Sequence, residues 1–394
     1  MILYLINLRK SAAQVELDQF FKGFEHRQHA FQKITKSAFF QARKQLSHTA
    51  FMALNQVVMK GFYERFDGYR KWNGFRLCAI DGSKIRLPDE EDIVREFGAH
   101  KGKPNQSDCP MGLASVYFDV LNHIAIDSSI NHTNASERNC AALHLEHARK
   151  DDLVIYDRGY NAFWLYAMHT TRNLAFCMRA KVNRGLEFKR FVESGERQAV
   201  ITLHPNKKSV QQCEEKALQA DPIQLRLIRV DLPGEVEVLI TNLMDEATYD
   251  VDQFKSLYHL RWGIEENYKR LKQWAELENF SGKSALSVKQ DFYAKIVSTN
   301  LTALMALAAQ KQVRSNTNEH RRTYQVNFAQ ALSKMKHTLV ALIHRSAIGV
   351  TEFLLQTIEY IALTVEAVRD GRSYERRLST TKNKRHYFGY KRAL

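Results

Sequence analysis

The sequence from Tyr258 to Lys272 reads YHLRWGIEENYKRLK and carries the most informative spacing in the chain. If it forms one helix, a rotation of about 100° per residue brings four polar side chains onto a single stripe: Tyr258, Arg261, Glu265 and Lys272. A neighbouring apolar stripe would pack on a core, and it consists of Leu257, Leu260, Ile264 and Leu271. Glu265 is therefore predicted at the rim of a core, although an ordinary amphipathic surface helix would show the same pattern.

Two other segments each predict a strand that ends at an aspartate. The apolar-rich run Phe75–Ile80 leads into Asp81, and the short run Leu153–Tyr156 leads into Asp157. Ligands of open α/β sheets collect at such strand ends. Taken alone, an aspartate after a strand is more often a helix cap or a turn residue. Together with Glu265, the two aspartates form a set of three carboxylates.

Three carboxylates in one place repel each other unless a cation lies between them, and a divalent metal is the usual solution. Oxygen ligands suit Mg²⁺, and Mn²⁺ can substitute for it. Two such ions, about 3.5 to 4 Å apart, can activate an attacking hydroxyl and stabilise the leaving oxygen of a phosphodiester. Asp81, Asp157 and Glu265 are therefore the candidate catalytic residues and metal ligands.

The polar stripe also carries side chains that suit a nucleic acid. Arg261 and Lys272 can hold phosphate oxygens, the arginine as a fork and the lysine as a point charge. Tyr258 can donate a hydrogen bond to a phosphate. Trp262 can stack on an unpaired base, and a tryptophan at the rim of a core is an equally good interpretation.

At these residues the chain resembles the DDE transposases of bacterial insertion sequences, specifically the insertion-sequence-four group. The Y-x-x-R-x-x-x-E-x-x-x-x-x-x-K signature of that group is matched in full by Tyr258, Arg261, Glu265 and Lys272. The first catalytic aspartate of the family carries over to Asp81 within Ala79–Gly82, and its D-R/K-G-Y/F element to Asp157–Tyr160. The resemblance covers roughly residues 35 to 310.

This resemblance implies a ribonuclease-H-like core that cuts and joins DNA. It also implies excision through a hairpin on the transposon end and a homodimer that acts in trans in the DNA complex. The expected partners are double-stranded DNA at the terminal inverted repeats of the element and at the target. The expected fold is α/β, a ribonuclease-H-like mixed sheet flanked by helices, with a β-rich insertion and helical N- and C-terminal regions.

The predicted division of the chain has five parts: 1–72, a helical N-terminal DNA-binding region; 73–184, the first part of the catalytic core; 185–245, the β-rich insertion; 246–315, the rest of the core; and 316–394, a helical C-terminal region with a basic tail. Residues 111–130 suit two strands, and Asn134 or Ser136 can cap a helix that runs to about Lys150. A helix is also predicted over residues 161–172.

Roughly a hundred residues separate Asp157 from Glu265, more than one crossover needs, so an insertion is expected. Its predicted strands, parted by proline-containing turns, are Gln198–Leu203, Ile223–Val230 and Glu235–Ile240. Before it, Arg179, Lys181 and Arg184 follow the strand Leu174–Met178 and, with Arg158, are candidate contacts to the DNA backbone. A solvated run of charges explains these basic residues equally well.

Helices are predicted at both ends of the chain: Ala13–Phe24, Ser37–Leu46, Thr49–Phe66, Ser287–Lys311, Tyr324–Arg345 and Val350–Arg369. The second of them could be a recognition helix with Gln41, Arg43 and Lys44 directed toward DNA, or a plain surface helix. The tail from Gly371 to Leu394 is basic with interleaved aromatic residues and suits DNA or a partner protomer. A solvated tail has the same composition.

Composition agrees with a polyanionic partner, because 58 Lys and Arg against 43 Asp and Glu give a formal net charge of +15. No run predicts a membrane span or a secretory signal, so a cytoplasmic, nucleoid-associated location is expected. Five scattered cysteines suit reduced thiols, and Cys140 with His144 and His147 is the only candidate zinc cluster, a poor one. Gly282–Ser284 does not make a phosphate loop, because the required upstream glycine position holds Leu277.

The resulting hypothesis is a metal-dependent transposase that hydrolyses one strand at the inverted repeat, after which the freed 3′ hydroxyl attacks DNA. A stand-alone nuclease with the same core is one alternative. An inactive or host-adopted DNA-binding protein of the same fold is the other, and the intact set of three carboxylates argues against it.

Overall fold

The computed structural model describes residues 1–7, 12–101, 108–182, 185–317, 321–342 and 347–368. The predicted contact Arg184, the basic tail and the predicted helix ends at Arg345 and Arg369 lie outside the described residues. The chain divides into two compact units, each discontinuous in sequence. The first unit comprises Met1–Lys60, Lys84–Gly112 and Lys269–Leu394, and the second comprises Gly61–Ser83 and Leu113–Tyr268.

The strands among the described residues are β1 Arg76–Arg86, β2 Ala99–His100, β3 Cys109–Asp119, β4 Ile124–His132, β5 Asp152–Tyr156, β6 Ala175–Arg179, β7 Gln198–Leu203, β8 Ile223–Leu232, β9 Glu235–Thr241, β10 Tyr324–Val326 and β11 Val365–Ala367. The main sheet has the order β4-β3-β1-β5-β6-β9-β8-β7, and β2 pairs with residues 109–110 at the start of β3. Strands β1, β5 and β6 are parallel, whereas β9, β8 and β7 continue the sheet in antiparallel fashion.

The helices among the described residues are α1 Ile2–Ile6, α2 Ala13–Phe24, α3 Lys36–Arg43, α4 Thr49–Arg65, α5 Glu91–Phe97, α6 Glu137–His144, α7 Phe163–Thr171, α8 Leu186–Ser194, α9 Lys207–Glu214, α10 Gln253–His259, α11 Trp262–Gln273, α12 Ala285–Asn316, α13 Phe328–Leu342 and α14 Ala347–Ala362. With the first five core strands in the order β4-β3-β1-β5-β6, the arrangement is that of a ribonuclease-H-like α/β core. The predicted fold class is confirmed.

The predicted insertion strands occur where the sequence placed them, and β7 matches to the residue. They extend the central sheet, because β9 pairs with β6 through Met178 and Ile240. The same part of the chain also contains α8 and α9, which were not predicted. The predicted domain boundaries stay predictions.

The prediction of one continuous helix from Tyr258 to Lys272 is wrong. Helix α10 ends at His259 and α11 begins at Trp262, and the N–H groups of Leu260 and Arg261 bond to carbonyls three residues back, at 3.1 Å each. Bonds of this kind wind the chain more tightly than an α-helix does, so the angles of one regular helical wheel do not carry across the junction.

Two further predicted helices have different bounds in the structure. The helix capped by Ser136, whose Oγ accepts from Asn139 N, ends at His144 and gives way to a short 3-10 turn, well before Lys150. Tyr324–Val326 is a strand rather than the start of a helix, because it pairs antiparallel with Val365–Ala367. Each strand has only three residues, too few for a periodic signal in the sequence.

Helix α12 forms the centre of the first unit. By length and composition it could cross a membrane, but 67% of its most apolar window is buried within the protein. Its Ala309 and Val313 belong to a buried cluster with Val326, Met335 and Ile361, contributed by β10, α13 and α14. This packing is that of a core helix.

The second unit buries a neutral histidine. His169 is fully buried, its Nε2 lies 2.9 Å from the Tyr156 hydroxyl, and its Nδ1 lies 3.3 Å from the Leu174 carbonyl oxygen. A neutral ring satisfies both contacts, with Nδ1–H donating to the carbonyl and Nε2 accepting from the hydroxyl. Burial lowers the pKa of His169 to about 3, from 6.5.

Because the folded-state pKa is below the unfolded value, the unfolded chain binds more protons and the protein loses stability as pH falls below 6.5. We expect this one residue to reduce the free energy of unfolding by about 2 kcal/mol between pH 7.5 and pH 5. Urea unfolding of wild type and His169→Gln at both pH values measures it. The free energy of unfolding of the variant should fall by about 2 kcal/mol less between the two pH values than that of the wild type. An equal fall in both proteins would contradict a buried neutral histidine.

Candidate active site

Asp81 and Asp157 lie side by side at one edge of the parallel strands. The register pairs Ala79 of β1 with Ile155 of β5, so Asp81 and Asp157, each two residues further on, fall opposite each other. Adjacent strands are about 4.8 Å apart, which brings the two carboxylates into one neighbourhood. The prediction that the first strand ends at Asp81 is wrong, because β1 continues through it to Arg86.

Both aspartates are held by main-chain N–H groups of nearby glycines. Asp81 Oδ1 accepts from Gly82 N at 2.9 Å, and Asp157 Oδ1 accepts from Gly159 N at 2.6 Å while capping the short turn Arg158–Tyr160. A Cβ at position 159 would come within 2.8 Å of Asp157 Oδ1, so a larger residue there would displace this carboxylate oxygen. The capping role expected of a lone aspartate is therefore present at Asp157 without removing its carboxylate from the site.

The electrostatics of the site show that its acids are crowded. The pKa of Asp81 is raised to about 7, mainly by burial and also by the charges of Asp157 and Glu137, whereas the Gly82 N–H and Arg261 act to lower it. Carboxylates that raise one another's pKa favour either a shared proton or a cation between them.

Glu265 lies in the first turn of α11 and is bonded to Arg261, with Oε1 and Nη2 2.9 Å apart. Burial by itself would lower the pKa of Arg261, but the hydrogen bond to Glu265 and the nearby charge of Asp81 raise it. The Arg261 side chain thus bonds Glu265 and lies near enough to Asp81 for the charges of the two groups to interact. Its Nε is buried and has no hydrogen-bond partner among the described residues.

Tyr268 fixes α11 against the strands, and sequence reasoning missed it. Its hydroxyl is 2.9 Å from the main-chain oxygen of Asp81 and 3.0 Å from that of Ala114. It follows Glu265 by three residues, so it shares the face of α11 that carries the acid. That spacing was the available signal. One hydroxyl thereby joins the Glu265 helix to the main chain of the first aspartate.

The chemistry of these donors fits a divalent cation, because the acids are oxygen donors that repel one another where they stand. In the part of the chain that the structure describes, no group of three Asp, Glu, His or Cys side chains forms a ready metal cage. Glu265 would have to exchange Arg261 for the cation, and the aspartates would have to turn toward it.

A family model described as a transposase DDE domain matches residues 72–301, more than half of the chain. The chain belongs to the DDE transposase family. It is 23% identical, over 274 residues, to the transposase InsG for insertion sequence element IS4 of Escherichia coli (strain K12), a match that covers 68% of this chain and 60% of that protein. The predicted resemblance to the insertion-sequence-four group is confirmed. A cryo-EM structure of a piggyBac transposase synaptic complex with hairpin DNA aligns with a TM-score of 0.40 and 8% identity over 73% of this chain and 57% of that one.

The other signature residues of this DDE transposase have different surroundings. Tyr258 is nearly buried, and its ring centroid lies 6.0 Å from the Arg261 guanidinium, whereas Trp262 is 46% exposed with the same guanidinium 5.1 Å from its ring. Lys272, in the first unit, donates from Nζ to the Lys84 carbonyl at 2.8 Å and lies 3.8 Å from Glu278. Their contacts to phosphate or to a base stay predictions.

A groove of about 650 Å³ in the second unit is lined by three of the predicted backbone contacts, Arg158, Arg179 and Lys181. Arg158 is exposed and directly follows Asp157. Arg179 is paired with Glu237 at 2.6 Å and with Glu235 at 3.3 Å, so its charge is largely balanced. Arg158 is thus better placed than Arg179 to reach a ligand beside the aspartates.

The predicted orientation of Arg43 toward DNA is wrong. Its side chain is buried within the first unit and donates to Asp291 at 2.9 Å, to Ser281 at 2.7 Å and to the Ser287 carbonyl at 2.8 Å. The fully buried Asp291 needs this positive partner. Lys44, the next residue, is exposed and remains a candidate contact.

We therefore expect Arg43→Ala to destabilise the protein by about 3 to 5 kcal/mol, because it leaves Asp291 buried without its ion pair. Lys44→Ala should change the free energy of unfolding by less than about 0.5 kcal/mol. Urea unfolding of both variants makes the comparison. A stable Arg43→Ala protein with weakened DNA binding would instead support the prediction that Arg43 is directed toward DNA.

The candidate zinc cluster has another role. His144 Nδ1 lies 2.6 Å from Asp127 Oδ2, and its Nε2 lies 3.0 Å from Ser115 Oγ. This resembles a Ser-His-Asp triad, but Ser115 is fully buried, so no substrate can reach the hydroxyl. The arrangement is a buried polar network that joins α6 to β3 and β4.

Proposed function

We propose that the protein is a cut-and-paste transposase that binds terminal inverted repeats and performs phosphodiester hydrolysis and strand transfer with two Mg²⁺ ions, or Mn²⁺ in their place. The observation that carries this is the position of Asp81 and Asp157, each two residues beyond the registered pair Ala79 and Ile155, with the Glu265 helix bonded to the main chain of Asp81 by Tyr268. Membership of the DDE family supports it. The chain spans about 60% of the length of its insertion-sequence relative, so the activity of that whole protein is proposed for this one, not transferred.

In this proposal Asp81, Asp157 and Glu265 hold the metal ions. When bound, the ions lower the pKa of the attacking hydroxyl group and stabilise the leaving oxygen. In the first step a water attacks phosphorus, the 3′ oxygen leaves, and protonation gives a free 3′ hydroxyl. In the second step that hydroxyl attacks a phosphodiester of the other DNA segment, and the displaced oxygen takes up a proton in turn.

The remaining residues bind and orient the DNA. Arg261, once released from Glu265, can pair with a phosphate near the site of attack. Arg158 and Lys181 are placed to hold the backbone along the groove, and the exposed Trp262 can stack on a base unpaired by cleavage. The exposed Gln41 and Lys44 of α3 are the remaining candidates for recognising the inverted repeat.

The net charge of +15 supports a DNA partner. A homodimer that acts in trans, excision through a hairpin and a cytoplasmic, nucleoid-associated location are parts of the same proposal.

The test is nicking of a labelled inverted-repeat duplex with Mg²⁺. We expect Asp81→Asn, Asp157→Asn and Glu265→Gln each to lower the nicking rate at least about 100-fold, since each removes a metal ligand that acts in the transition state. Each variant should still bind the duplex. Glu266→Gln is the matched control, because Glu266 is the exposed neighbour of Glu265 on the same helix.

Equal nicking by the wild type and the three acid variants would rule out the assigned roles. Joining of the cleaved 3′ end to a supercoiled target plasmid separates a transposase from a nuclease, which would hydrolyse without transfer. Duplex binding by the wild type with no metal-dependent cleavage would indicate an inactive DNA-binding protein.

A further inference from the structure

A fourth carboxylate, Glu137, lies beside the two aspartates and is absent from the family signature. It is the first residue of α6, whose start is joined to the Asp157 turn because Arg138 Nε donates to the Gly159 carbonyl at 2.8 Å. On its other side Glu137 lies directly over Gly82, where an added Cβ would come within 2.8 Å of Glu137 Oε1. Glu137 is therefore placed between the strand of Asp81 and the turn of Asp157, and it is exposed to solvent.

The Tyr160 hydroxyl marks the same place independently. It is almost fully buried, at 1% exposure, and has no hydrogen-bond partner among the described residues. After burial itself, the groups that raise the pKa of Tyr160 are Asp81, Glu137, Tyr268 and Asp157, so the hydroxyl lies near all three acids. A buried hydroxyl without a partner is unfavourable, and a water molecule bound to a cation among these acids would supply one.

We propose that Glu137 is a further metal ligand, which holds one divalent cation together with Asp81 and Asp157, with the Tyr160 hydroxyl bonded to a water of that ion. This deepens the proposed function and rests on it. Glu265 is not needed for this ion, because in the DNA-free protein it is bonded to Arg261. The first ion thus binds on the strand side of the site, and Glu265 joins with the second.

Charge supports a fourth acid. Two divalent cations bring four positive charges, whereas Asp81, Asp157 and Glu265 supply three negative charges. Glu137 supplies the fourth negative charge. Its carboxylate occupies the space over Gly82 that a side chain at position 82 would need. The acid also lies in the first turn of a helix, where an anion is favourably placed when no cation is bound.

The experiment is titration of the full-length, DNA-free protein with Mn²⁺, followed by electron paramagnetic resonance of the free ion. We expect one Mn²⁺ per chain, with binding at least about tenfold weaker in Glu137→Gln. Glu265→Gln should bind within about threefold of the wild type. Glu146→Gln, an exposed acid in the turn that follows α6, should bind as the wild type does. Tyr160→Phe should weaken binding about threefold, because only the hydroxyl is removed.

Wild-type affinity in a folded Glu137→Gln protein would overturn this assignment, and so would a wild type that binds no Mn²⁺ without DNA. A loss in Glu265→Gln as large as in Glu137→Gln would overturn the order of binding. Circular dichroism establishes that each variant is folded, and Tyr160→Phe carries the test if Glu137→Gln is not. If Asp81→Asn abolishes nicking while Glu137→Gln binds Mn²⁺ normally, this inference alone fails. Unchanged nicking in Asp81→Asn would instead remove the proposed function.

Discussion

The register between β1 and β5 is the constraint on which the candidate site depends. It pairs Arg76 with Asp152 at the start of both strands, and there the two side chains form a buried fork, with contacts of 2.6 and 2.7 Å. Tyr117 of the neighbouring β3 donates to the same carboxylate at 2.5 Å. Any shift of one strand past the other would separate two buried opposite charges, which costs far more than a slip in an apolar sheet.

The Arg76–Asp152 ion pair also fixes the relative position of residues further along the two strands. Asp81 is five residues beyond Arg76, and Asp157 is five residues beyond Asp152. Because both strands run in the same direction with the same rise, equal spacing from a fixed pair places the two aspartates level. The third acid is set by a separate device, since the Tyr268 hydroxyl bonds α11 to the main chain of Asp81 rather than to its side chain. Asp81 keeps its carboxylate available while its backbone anchors the helix.

Sequence reasoning succeeded where the physics is local or strongly periodic. The runs that end at Tyr156 and Met178 are short and apolar because parallel central strands are buried on both faces, and they were found nearly to the residue. Sequence reasoning failed where a residue far away in the sequence determines the position of a side chain. Arg43 looks like a surface cation until the buried Asp291 is known, and the break at Leu260 leaves the heptad-like spacing of the signature intact while changing its angles. Tyr268 gives only its spacing from Glu265 as a signal and Glu137 gives none, because the folded sheet brings both of them to Asp81.

Under the proposed function, a site that gathers several acids in one place must keep DNA phosphates from being repelled there. The arrangement around Arg261 addresses this. Its guanidinium neutralises Glu265 and lowers the pKa of Asp81, while its buried Nε has no bond of its own among the described residues. A cation that takes over the carboxylates therefore frees an arginine at the same spot, and that arginine can bind a phosphate. In this scheme metal and DNA reinforce each other's binding, because each removes a like-charge repulsion that opposes the other.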